Sequence, residues 1–128
     1  MNREKLTKLY KEYELEASDV FKHQHYLIIT RSGIDKIQAK AKINITYDVV
    51  NCERDFCVVK AYGMHNDLKI ETFGSALKGT DYKNSNTNSW YVMEMAEKRA
   101  MSRAVLKLTG FYELGVFGED ESEDFKRK

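Results

Sequence analysis

Arg99, Arg103 and Lys107 recur at every fourth position near the C-terminal end of the chain. On a helix that spacing stacks three cations on one face at intervals of about 6 Å. This is close to the spacing of successive phosphates on an extended nucleic-acid strand, and an arginine can hold a phosphate through two N–H groups. The chemistry this suggests is a phosphate track, with Lys98 further round the same helix. The competing expectation is a solvated face partly neutralised by Glu94 and Glu97. Lys36 and Lys40, one helical turn apart and near Arg31, would extend a basic surface or be ordinary surface lysines. Lys78, Tyr82 and Lys83 lie in an Asn-rich stretch and combine charge with a ring on which a base can stack, unless the stretch is a plain surface loop.

Other constellations are weaker. Cys52, Cys57, His23 and His25 supply four zinc-type donors, but the Cys-x4-Cys spacing is wide and the histidines are remote in sequence. Two reduced thiols, no metal and no cofactor are expected. Asp48, Asp67 and Lys69 faintly suggest a metal-dependent nuclease, although strand ends and turns commonly carry such charges. No glycine-rich phosphate loop and no serine nucleophile elbow occurs, so no catalytic residue is assigned and the chain is not expected to be an enzyme.

Charge narrows the field less. The 128 residues carry 21 basic and 20 acidic side chains, a net +1. The last ten hold five acids and three bases, and without them 18 bases face 15 acids. A nucleic-acid partner would have to be held by local clustering rather than by overall charge. No apolar run approaches the roughly 18 residues of a membrane span. With a charged start (MNREKLTKLY) and only two cysteines, a reducing cytoplasm is the expected compartment, with no membrane partner.

These residues need elements to position them. Leu6, Leu9, Tyr10, Tyr13 and Ala17 predict an amphipathic helix of roughly four turns. Tyr26–Thr30 reads as a strand, followed by a short helix with Ile34, Ile37 and Ala41 on one stripe, capped by Ser32 and Asp35. Residues 43–50, 56–63 and 68–74 read as three strands in an antiparallel meander. Residues 75–89 read as a loop, with Asn88 or Ser89 capping a long helix over 90–108 that Gly110 ends. In that helix Ala96, Ala100 and Ala104 form a small-residue ridge suited to close packing. The expected fold class is α+β: a three-stranded meander, with room for one extra strand, packed on the long C-terminal helix plus an N-terminal helix. Residues 1–118 would form one domain and residues 119–128 an acidic, disordered tail.

The segment MAEKRAMSRAVLKLTGFYELG, after a meander ending in ETFGSAL, resembles the core of the single-strand annealing superfamily. That group includes the eukaryotic strand-annealing recombination protein and phage proteins such as Erf and Red beta. The matching residues are Glu97, Arg99-Ala100, Arg103-Ala104 and Gly110, and SGIDKIQAKAKI resembles the short helix before the family's meander. The resemblance implies ATP-independent annealing by a protein of phage or mobile-element origin. It implies a single-stranded partner, DNA rather than RNA, held by Arg99, Arg103 and Lys107, and assembly into a homo-oligomer. The alternative is a protein-interaction or accessory module with this fold and no nucleic-acid binding.

Overall fold

A computed structural model describes residues 3–24, 26–79, 85–87 and 90–120. Among these residues the chain is α+β, with three α-helices and two three-stranded sheets.

Helix α1 (Arg3–Glu12) is shorter than its apolar spacing predicts, because Glu14 turns into the left-handed region at φ 55°. Leu6 and Tyr13 still reach the core. Strands β1 (Val20–His23) and β2 (Tyr26–Ile29) pair antiparallel. Helix α2 (Arg31–Ala41) starts one residue before Ser32, so its N-cap is Thr30, whose hydroxyl accepts from the Gly33 N–H at 3.1 Å.

The meander is formed by β3 (Asn44–Cys52), β4 (Phe56–His65) and β5 (Leu68–Leu77), with β4 in the middle. Asn66 makes the β4–β5 turn with a φ of 56°. Strand β5 runs three residues beyond the predicted end, because Ser75–Leu77 continue the register against Phe56–Val58. Lys78 then bridges in parallel to Thr87. The predicted caps Asn88 and Ser89 lie outside the described residues.

Helix α3 (Val92–Thr109) is the spine, and eleven of its eighteen residues are buried. Its C-cap is Gly110, at φ 90°, as the sequence predicts. The alanine ridge packs on β4 and β5 at very short range. A Cβ added at Gly74 would sit on the Ala96 carbonyl oxygen and 2.5 Å from the Ala100 nitrogen. The Thr72 hydroxyl donates to the Ala100 carbonyl at 2.7 Å across the same contact. The rest of α3 holds the main core: Met101, Val105 and Leu106 pack with Ile29, Ile34, Ile37, Phe111 and Val116. That side carries the second sheet, completed by β6 (Val116–Gly118), which pairs parallel with β2.

The chain does not detach at residue 119. Glu119 accepts from the Arg31 N–H at 2.9 Å, and Asp120 accepts from the Ser102 hydroxyl at 3.1 Å. The expected tail therefore begins no earlier than residue 121, and residues 121–128 lie outside the described part. No described helix is long and apolar enough to cross a membrane.

Candidate nucleic-acid interface

The row of cations on α3 is not one continuous exposed track. Arg99 is 4% exposed. Its Nη1 donates to the Ser75 carbonyl at 2.7 Å, its Nη2 to the Asn86 carbonyl at 2.8 Å and its Nε to the Asp120 carbonyl at 3.3 Å. Arg103 Nη1 donates to the Phe73 carbonyl at 3.1 Å. Phe73 and Ser75 are alternate residues on the side of β5 facing away from β4. Four residues of helix rise about 6 Å and two residues of strand about 6.8 Å. A four-residue arginine repeat therefore matches the free carbonyls of a strand edge as well as it matches phosphates. Asn86 completes the closure: its side chain accepts from the Leu77 N–H at 2.7 Å and donates to the Ser75 carbonyl at 3.2 Å. The phosphate track expected from the spacing and the resemblance meets, at Arg99, a buried guanidinium whose Nε, Nη1 and Nη2 each donate to a backbone carbonyl.

The other expected cations are scattered. Lys107 is exposed and lies 5.2 Å from the Tyr112 ring, at the far end of α3. Lys98 is half-buried on the same helix. Lys36 donates to Asp19 at 2.7 Å, and Lys40 to Glu14 at 3.0 Å. Hydrogen bonding from Lys36, and then from the Glu16 N–H, holds the Asp19 carboxyl below the usual carboxylate range. Those lysines tie α2 to the segment after α1 and do not join Lys107. Tyr82 and Lys83 lie outside the described residues.

Lys78 belongs to a cluster that the sequence reading missed. Its Nζ lies 4.0 Å from the centroid of the Trp90 ring, and the Arg54 guanidinium lies 5.1 Å from the same ring. Trp90 remains 57% exposed, and the adjacent Tyr91 is 69% exposed. Three elements build this cluster. Arg54 comes from the β3–β4 turn, Lys78 from the end of β5, and Trp90 from the entry to α3. The Lys78 N–H donates to the Asp55 carbonyl at 2.7 Å, which joins the first two. A usable signal was the single tryptophan of the chain, placed beside a basic, Asn-rich stretch and outside the apolar stripe of the following helix.

A second aromatic group lies on the sheet face away from α3. Lys60 Nζ is 5.0 Å from the Tyr62 ring and 5.5 Å from the Phe73 ring. Acids balance it. Glu71 is 3.3 Å from Lys60, and the Tyr62 hydroxyl donates to Asp48 at 2.8 Å. Hydrogen bonding to Glu71 raises the Lys60 pKa, so this lysine is committed to a neighbour. Asp48 thus serves Tyr62, and Asp67 lies in the β4–β5 turn. Among the described residues no group of three or more His, Cys, Asp or Glu side chains is placed to hold a metal.

No family model matches the chain, and neither a curated protein nor a solved structure matches it.

Proposed function

We propose that this protein is a single-stranded DNA-binding module of the strand-annealing type, working without covalent chemistry or ATP, and that it holds the strand at the Trp90 cluster. One observation carries the reading: an exposed tryptophan flanked by two cations, Lys78 and Arg54, with an exposed tyrosine next to it. Stacking a base on such a ring contributes about 1–3 kcal/mol. Both cations lie over the ring, so a stacking base displaces one of them from a ring face, and the displaced cation can pair with the phosphate of that base. The acids beside Arg54, Glu53 and Asp55, weaken that attraction, so stacking carries the larger share. Annealing would follow from holding backbones while leaving base edges open, and several subunits on one strand would raise effective concentration.

A second reading is supported by β3. All of its residues except Ile45 are exposed, it has no basic residue, and it presents Tyr47, Val49 and Val50 beside an open edge. Such an edge can take up a strand from another protein.

Titration of the full chain with a labelled oligothymidylate separates the two. Quenching of Trp90 fluorescence together with a rise in probe anisotropy at low salt, weakening as salt rises, is the expected result. No binding at low salt removes the DNA reading and leaves the β3 edge as the functional surface.

A further inference from the structure

Cys52 and Cys57 are direct cross-strand partners at the turn end of the β3–β4 hairpin. The Glu53 N–H donates to the Phe56 carbonyl at 2.6 Å, which makes the adjacent pair on the turn side a hydrogen-bonded one. The Cys52–Cys57 pair is then of the non-hydrogen-bonded kind, in which Cα atoms lie about 4.5 Å apart and side chains approach closest. That separation falls inside the range of about 4.4–6.8 Å spanned by disulfides. As directly opposed partners, both side chains lie on the same face of the hairpin. Their surroundings differ. Cys52 is exposed, whereas Cys57 is fully buried with Val59, Ala76, Val92 and Ala96.

We propose that this pair is a reversible oxidation site, closed to an intrachain disulfide by a small disulfide such as oxidised glutathione. The asymmetry sets the order of events. The Cys52 thiolate attacks one sulfur of the oxidant, forming a mixed disulfide and releasing one thiolate, which takes up a proton. Cys57 then loses its proton to solvent, attacks the Cys52 sulfur and expels the second thiolate. Two protein thiols are oxidised to one disulfide and the small disulfide is reduced to two thiols. Burial, followed by the neighbouring Cys52, pushes the Cys57 thiol up to about 11, so the closing step accelerates as pH rises toward that value. The bridged segment contains Arg54, and a bridge would hold the turn that carries it against Trp90.

The test uses the full chain at native concentration in buffers of increasing oxidised-to-reduced glutathione ratio, quenched with an alkylating reagent and read by intact mass. Expected is a monomer lighter by two hydrogens with neither cysteine alkylated, restored to two alkylated thiols by dithiothreitol. Cys57→Ala should stop at a single glutathione adduct on Cys52, and Cys52→Ser should stay unmodified. The proposal is overturned if the wild-type chain keeps both thiols free, stops at the mixed disulfide, or yields only disulfide-linked dimers. Because the readout is mass and not DNA binding, it stands or fails apart from the proposed function.

Discussion

The guanidinium of Arg99 donates to the carbonyl oxygen of Ser75 at 2.7 Å and closes the outer edge of the meander. Arg103 repeats the contact one helical turn later on Phe73. An exposed strand edge invites pairing with other chains, and cationic side chains are a common means of blunting one. Here the blunting comes from the helix packed on the same sheet, so the edge of β5 closes as α3 docks.

Arg99→Ala should therefore act on stability before it acts on any ligand. It removes the guanidinium donors from the Ser75, Asn86 and Asp120 carbonyls, at a cost of about 2–3 kcal/mol. Urea unfolding should show this loss, with a smaller one of about 1 kcal/mol for Arg103→Ala, whose side chain is only half-buried. If Arg99→Ala unfolds at the wild-type urea midpoint, the clamp has no energetic role.

Gly74→Ala should destabilise the fold by at least about 2 kcal/mol, because the new methyl meets backbone atoms of α3 and no side chain can move aside. A thermal melt is sufficient to detect it. Unchanged melting would mean that α3 and β5 are further apart than described.

The ion pair between Asp19 and Lys36 predicts a pH dependence. The Asp19 pKa is lowered in the folded state, so its contribution is present above the unfolded value of about 3.9 and is lost as pH falls through the folded value. The Lys36 pKa is raised, so its contribution is present below about 10.5 and is lost as pH climbs through the folded value. Urea midpoints of the wild type and Asp19→Asn should differ at neutral pH and converge below pH of about 4. A constant gap across the acid range would show that the pair contributes nothing through charge.

Trp90→Ala should weaken binding of single-stranded DNA by roughly five- to 150-fold, the equivalent of about 1–3 kcal/mol. Two cations at the site predict a slope of log K against log salt of about −1.4. Lys78→Ala should halve that slope and leave the urea midpoint unchanged. Equal affinity of Trp90→Ala and the wild type would move the DNA site elsewhere on the surface.

Much of the fold is legible in the linear pattern. Alternation in Ile43, Ile45, Tyr47 and Val49 marks β3, because the strand period is a local property, and the short run from Phe56 between turn-like segments marks β4. Ala96, Ala100 and Ala104 announce a close helix–sheet contact for the same reason, and Gly74 answers it from across the interface. Strand β6 was not legible. It is three residues long and exists only because Val116–Gly118 meet Leu27–Ile29, nearly ninety positions away.

By itself the sequence determined the α+β class, the meander, the long helix and its end at Gly110, all consequences of periodicity and turn chemistry within a few residues. It also placed Arg99 and Arg103 on one helical face. Only the tertiary structure decided what that face meets. A cation every 6 Å or so suits a phosphate chain or a row of strand carbonyls equally. The choice depends on which backbone the packing of α3 brings alongside and on whether water remains between them. The same holds for Trp90, whose two cations come from positions 54 and 78 and become its neighbours only when the sheet forms.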